Sequence, residues 1–389
     1  MDLTALIKEY LKSDTLYIEK NGYLIMPSFV DVHVHLREPG FSYKETILSG
    51  TLASASGGYT TVCSMPNLNP VPDTLKNLKE QLDIIEKDGV IEVVPYGAIT
   101  KGQKGEELSD MEDLAPFVCA FSDDGRGVQK DEMMEKAMLK AKSLGKMIVA
   151  HCEDNSLLKG GYIHDGEYAK KHNHRGICSE SEFIQIARDI ELVKKTKCAY
   201  HVCHISTKES VDIIRKAKKE GVDITSETAP HYLVLTDNDL QEEGRFKMNP
   251  PLRSEEDKKA LIEGLKDGTI DMIATDHAPH SFEEKNKGLE KSAFGITGIE
   301  IAFPLLYTHL VKKGVVSLET LIKKMSLSPR ERFGFKLNKN DYTIFNVKDE
   351  YEIRKEKLLS KGKSTPFDGE KVFGKCYLTV KDGKTVYKI

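Results

Sequence analysis

From Phe29 onward, short apolar runs rich in β-branched residues alternate with longer stretches whose apolar side chains recur at helical spacing. Eight of the short runs qualify as strands, at residues 29–35, 59–64, 92–97, 117–123, 147–152, 199–204, 223–227 and 271–275. Helical patterns fall between them at 131–144, 180–194, 208–220 and 255–266, and another at 298–312 follows the eighth run. One strand followed by one helix, eight times over, predicts an α/β fold of the (β/α)8 TIM type. The third unit is the weakest, because only a short helical stretch at 109–114 separates its strand from the next.

After Gly334 the period changes. Alternating segments at 342–347, 372–380 and 384–389, broken by Gly, Asp and Asn, read as a small β unit, to which the first 20 or so residues could add a strand. The expected organisation is a barrel over residues 27–334 and an accessory β domain formed from the two chain ends, 1–26 plus 335–389, its N-terminal part reduced.

Composition narrows the function. At 39% hydrophobic and 30% charged the chain is globular, and a net charge of −4 without a basic stripe argues against nucleic acid as a partner. No window approaches the roughly 18 apolar residues of a membrane span, and residues 1–20 lack the features of a signal peptide, so a cytoplasmic location is expected. The seven cysteines are scattered with no CxxC pair and read as reduced thiols.

In such a barrel the reactive groups gather where strands end. His33 and His35 close the first strand, and their i, i+2 spacing puts both rings on one face, where they can chelate one ion. Asp123 and Asp124 close the fourth, His151 the fifth and His204 the sixth, while Asp276 follows the eighth. A lone histidine at a strand end is usually a cap or a surface residue, but this many N/O donors at five strand ends exceed the needs of one tetrahedral ion. They suit two metals that share a carboxylate and a hydroxide. Spacing alone does not choose between Asp123 and Asp124.

Arg37, two residues past His35, belongs to the same rim, where its fork of donors suits a carboxylate. Asn67 follows the second strand and could orient a polar ligand. His201, three residues before His204, is expected on the opposite sheet face. His164, His172, His174 and His309 read as structural, and His231 and His277 stay open.

Eight ordered motifs carry a resemblance over nearly the whole chain: DVHVHLREPG (31–40), SMPN (64–67), FSDDGRGVQ (121–129), AHCEDN (150–155), HVCHIST (201–207), KMNPPLR (247–253), MIATDHAPH (272–280) and FGITG (294–298). The sequence resembles bacterial dihydroorotases of the class I type, in the amidohydrolase superfamily. The resemblance implies two Zn2+ per subunit: His33, His35 and Asp276 on one, His151 and His204 on the other, with Asp124 and a hydroxide bridging. It also implies substrate contacts at His35, Arg37, Asn67, Asn249 and His280 and at the backbone of Phe294 and Gly295. The implied reaction is the reversible cyclisation of N-carbamoyl-L-aspartate to L-dihydroorotate in pyrimidine biosynthesis, with Asp276 as the catalytic proton carrier. A homodimer and an association with aspartate transcarbamoylase are compatible with it.

Two departures matter. Strand four ends in Ser-Asp-Asp-Gly, without the lysine that many cyclic amidohydrolases carboxylate as a bridge, which argues against hydantoinase-like and allantoinase-like enzymes. The chain also enters its barrel through Pro27-Ser28 where the family usually has Pro-Gly. The competing readings are a hydantoinase-like or dihydropyrimidinase-like amidase and a catalytically silent scaffold homologue. The second would be expected to have lost ligands, and none is missing.

Overall fold

The computed structural model describes residues 3–389. The chain begins with a helix, Leu3–Lys12 (α1), then the strands Ile18–Lys20 (β1) and Tyr23–Pro27 (β2). A strand contribution was expected here; the helix was not. Its apolar positions Leu3, Leu6, Ile7 and Tyr10 recur at helical spacing and pack on Ile25, Tyr342, Ile344 and Leu378.

The parallel strands follow in order: Phe29–Val34 (β3), Tyr59–Ser64 (β4), Glu92–Pro95 (β5), Gly97–Ala98 (β6), Phe121–Ser122 (β7), Ile148–Ala150 (β8), Tyr200–Val202 (β9), Ile224–Thr228 (β10) and Met272–Ile273 (β11). The third expected strand is thus split in two around Tyr96, and the fourth is shorter than its pattern. Parallel pairing runs β3-β4-β5 and β6-β7-β8-β9-β10-β11. Tyr96 N–H donates to the Ser64 carbonyl at 3.0 Å and Gly97 N–H to the Ala120 carbonyl at 3.1 Å, which joins the two runs. Beyond β11, His277 forms a parallel bridge with Val34, and His35 N–H donates to its carbonyl at 2.8 Å.

Helices Ile47–Ser56 (α2), Leu75–Asp88 (α3), Met111–Leu114 (α4), Asp131–Ser143 (α5), Glu180–Thr196 (α6), Lys208–Lys219 (α7) and Glu255–Asp267 (α8) lie between the strands. Their starts are chemically marked. The side chains of Thr46, Thr74, Thr207 and Ser254 accept from the N–H three residues on, satisfying donors that the first turn leaves free. The last helical pattern becomes Ala302–Leu306 continued by a wider turn at Tyr307–Val311.

Two apolar clusters flank the parallel strands. Val30, Val32, Cys63, Met65, Tyr96, Ala120, Met147, Val149, Cys203, Met272 and Ala274 form one, to which nearly every strand contributes, with Phe333 and Phe335 packed against it. The larger cluster joins the other strand faces to the helices. This is the pattern of parallel strands buried on both sides.

The strands Tyr342–Asn346 (β12), Lys375–Lys381 (β13) and Lys384–Lys388 (β14) complete a five-stranded antiparallel sheet in the order β1-β2-β12-β13-β14. Phe345 ties this sheet to the parallel strands, its ring 5.8 Å from that of Phe29 and 4.3 Å from that of Phe303. A Cβ at Gly58 would lie 2.8 Å from the Phe345 ring, at a φ of +92° that side chains rarely adopt. Phe345→Ala is expected to cost about 3–5 kcal/mol in chemical denaturation, because the void lies between two sheets that cannot collapse onto it. Ser28 is equally integrated: its hydroxyl meets Thr60 Oγ1 at 2.6 Å and accepts from Arg330 Nη2 at 3.1 Å.

Candidate metal centre and active site

The strand-end residues converge. Nε2 of His33 lies 3.3 Å from Asp124 Oδ1 and 3.5 Å from Asp276 Oδ1; Nε2 of His35 lies 3.0 Å from Asp276 Oδ1 and 3.5 Å from Asp124 Oδ2. His151 Nδ1 and His204 Nε2 stand 3.0 Å apart, and 3.8 and 3.6 Å from Asp124 Oδ1. All six residues are buried.

Backbone irregularity aims these groups. The pairing of β3 with β4 slips between Asp31 and Val34, so an extra residue sits in β3 there. Such a bulge lets His33 and His35 share a side with Val32, which simple alternation forbids. Arg37, His204 and Asp276 all have positive φ, at 63°, 28° and 47°. Non-glycine residues held there cost of order 1–3 kcal/mol, and such strain concentrates at functional sites. The turn at His204 also overturns the expectation for His201. The strand ends at Val202, so His201 and His204 reach the same interior: His201 Nε2 lies 3.1 Å from Glu227 Oε2, and the His204 ring lies 4.9 Å from that of His33, which Glu227 also holds, while the His204 backbone N–H donates to Glu227 Oε1 at 3.3 Å.

The choice between adjacent aspartates is visible in their partners. Asp123 accepts from the N–H groups of Ile99 and Thr100 at 2.8 and 3.1 Å and from the Thr100 hydroxyl, and so clasps a loop. Asp124 faces the histidines. Burial pushes its carboxyl up, but the rings of His33, His204 and His35 outweigh that and hold it well below the usual carboxylate range.

The donor set fits a bound cation. Glu227 Oε1, 2.6 Å from His33 Nδ1, accepts the ring proton there and leaves a lone pair on Nε2. That lone pair faces Asp124 Oδ1, and both buried atoms lack a hydrogen-bond partner. Asn67 Oδ1 fixes His35 in the same way at 2.9 Å. Neutral rings so placed would set lone pairs against carboxylate oxygens in a buried space, so the site demands positive charge there. Against burial, Asp124 and Glu227 hold the His33 ring well above its usual range when protons supply that charge, and a bound cation can take their place.

Two acidic residues absent from the sequence-derived set support the cluster. Glu227, from β10, holds His33 and His201. Glu153 accepts from Asn249 Nδ2 at 3.0 Å and lies 3.5 Å from His151 Nε2. Glu153 stands inside the AHCEDN motif and Glu227 closes the run 223–227, so both could have been singled out. Glu227→Gln is expected to weaken metal binding about 10- to 100-fold, as loss of a partner behind a ligand does, measured by competition with a chromophoric chelator.

All the expected substrate contacts, His35, Arg37, Asn67, Asn249, His280, Phe294 and Gly295, line one cavity of about 180 Å3 together with Asp124, His151, His204 and Asp276. Arg37 is buried, with Nε donating to the Pro279 carbonyl at 3.1 Å. Burial lowers its guanidinium to about 10, so it stays cationic at neutral pH. His277 lies against Glu45 at 3.6 Å, and buried His231 packs on Tyr232. His164, His172, His174 and His309 lie outside this cavity.

Histidines and aspartates gathered beyond the ends of parallel strands, around a small polar cavity, define a hydrolase of the amidohydrolase class. Known proteins agree. A family model described as dihydro-orotase-like matches residues 22–210. A dihydroorotase of Fusobacterium nucleatum is 51% identical over 382 residues, 96% of this chain and 90% of the relative, and one of Staphylococcus epidermidis is 53% identical over 379, 95% and 89%. The chain belongs to the dihydroorotase family of cyclic amide hydrolases. Its fold is also that of solved hydantoinases: an L-hydantoinase (dihydropyrimidinase) from Arthrobacter aurescens has a TM-score of 0.84 at 26% identity, covering 96% of this chain and 89% of that one. A D-hydantoinase (dihydropyrimidinase) from Thermus sp. has 0.82 at 24%, covering 94% and 85%. Among the described residues, no helix is long and apolar enough to cross a membrane.

Proposed function

We propose that this enzyme interconverts N-carbamoyl-L-aspartate and L-dihydroorotate at a site for two zinc ions. In this reading His33, His35 and Asp276 would hold one ion, His151 and His204 the other, and Asp124 would serve both. The observation that carries the substrate assignment is Arg37: a buried guanidinium at the cavity, with no carboxylate within 4.0 Å among the described residues. Asp276, Asp124, Glu284 and Glu45 act on this buried cation only from a distance, and the carboxylate of dihydroorotate would supply a contacting partner.

When bound, the metal pair polarises the ring carbonyl and favours the deprotonated form of the attacking water near neutral pH. The chain's own groups do the rest. Arg37, with His280 beside it, holds the substrate carboxylate and so orients the ring. Asn67 and Glu227 fix the rings of His35 and His33. Asp276 accepts the proton of the attacking water at a carboxylate oxygen and delivers it to the ring nitrogen as the C–N bond breaks. Cyclisation reverses each step.

The same proposal treats the strand order and the Val34–His277 bridge as closure of a (β/α)8 barrel over residues 27–334, with 1–26 and 335–389 as an accessory domain. A homodimer and association with aspartate transcarbamoylase rest on the family resemblance alone. The hydantoinase-like fold favours a second reading as an amidase for uncharged rings, which leaves Arg37 without a task. Assay of both directions on purified protein, with bound metal counted in the same sample, tests the proposal. About two zinc ions with turnover of both substrates is the expected result. Bound metal with turnover of hydantoins or dihydrouracil but not of dihydroorotate rejects it.

A further inference from the structure

The pairing of Arg37 with His280 rests on that substrate assignment, and the ring of His280 sets a condition on it. Its Nε2 lies 2.7 Å from the Phe294 carbonyl oxygen and 3.2 Å from Arg37 Nη2. The carbonyl requires an N–H there, whereas the guanidinium, which only donates, requires a lone pair. Nδ1 meets the same choice, 3.4 Å from Lys44 Nζ and 3.3 Å from Glu284 Oε2. Burial first, then the Arg37, Lys44 and Lys285 cations, lowers the ring to about 3, so it is neutral and carries one proton. The four neighbours therefore divide into two exclusive sets. An Nε2–H ring serves Phe294 and Lys44; an Nδ1–H ring serves Glu284 and Arg37.

We propose that Lys44 is a positioning residue that fixes His280 as its Nε2–H tautomer, whose proton the Phe294 carbonyl holds, so that Arg37 Nη2 is left free to donate to the substrate carboxylate. The Phe294 contact is the shortest of the four and selects Nε2–H. Glu284 is engaged elsewhere: Lys44 Nζ donates to it at 2.9 Å, Ser281 N–H at 3.1 Å and the Tyr43 hydroxyl at 3.3 Å. The Nδ1–H ring would instead accept from Arg37, spending within the protein the donor an anionic ligand needs. Loss of Lys44 removes the donor to Nδ1 and frees Glu284 to accept from it, so both changes drive the ring toward the wrong tautomer.

The test is nitrogen NMR of the zinc-loaded enzyme labelled with 15N-histidine, the His280 signals being assigned by their absence in His280→Gln. The wild type is expected to show a bare Nδ1 and a protonated Nε2, and Lys44→Met to reverse them. Lys44→Arg and Glu284→Gln, each placing a donor at Nδ1, keep the wild-type pattern. In parallel, KM for dihydroorotate is expected to rise about tenfold in Lys44→Met with kcat within about twofold, and Lys44→Arg to restore it. A protonated Nδ1 in the wild type, or signals unchanged in Lys44→Met, overturns the role of Lys44. Reversed signals with an unchanged KM overturn the link from the tautomer to carboxylate binding, and with it the proposal.

Discussion

Asp276→Asn is expected to lower kcat at least about a thousandfold in both directions, when hydrolysis and cyclisation are compared at wild-type metal content. Asp276 is 6% exposed, and burial alone would raise its carboxyl; the rings of His35 and His33 prevail and hold it well below the usual range. It is therefore an ionised carboxylate at working pH, the form that can accept a proton. Asparagine keeps the shape, one oxygen donor and the tolerance for a φ of 47°, and removes the capacity to carry that proton together with the negative charge, which is why metal content must be matched. Since one group serves both directions, both rates must fall together. A residual kcat within about tenfold of the wild type would assign the proton to another residue.

The second large effect is one of selectivity. Arg37→Gln is expected to reduce kcat/KM for dihydroorotate by about a hundredfold to a thousandfold, the usual cost of removing one partner of a buried charge pair. Residual turnover of dihydrouracil, which lacks the carboxylate, should change little, so the ratio of the two specificity constants collapses. The guanidinium is 8% exposed and its remaining protein contacts are neutral, the Pro279 carbonyl and the His280 ring. Equal losses for the two substrates would mean that Arg37 supports the loop rather than reading the carboxylate. The φ of 63° at this residue makes that comparison necessary, since a loop under such strain can shift when its side chain changes.

Much of this molecule is written locally. Alternating β-branched runs and capped helices are short-range patterns, and they located every parallel strand of the repeat and most of its helices. Strand ends are where this class of fold collects chemistry, so His33, His35, His151, His204 and Asp276 could be named before any of them was seen to meet. Elements whose patterns are short or mixed were less legible. The helix Leu3–Lys12 has only a few apolar positions in a charged stretch, and the third strand is divided around Tyr96.

What the sequence determined by itself is the order of elements, the donor types at their ends and, through ordered motifs, the family. What only tertiary structure decided is which way those donors face. Alternation put His201 and His204 on opposite sides, but a left-handed turn at His204 brought both to Glu227, and the slip in β3 turned His33 and His35 toward Asp124. Asp123 and Asp124 are neighbours of identical chemistry, separated in role by the Ile99 and Thr100 N–H groups that claim one of them. The reason is physical. Periodicity records the average direction of side chains in a regular element, whereas bulges, turns at positive φ and buried hydrogen-bond partners are imposed by contacts between residues far apart in the chain.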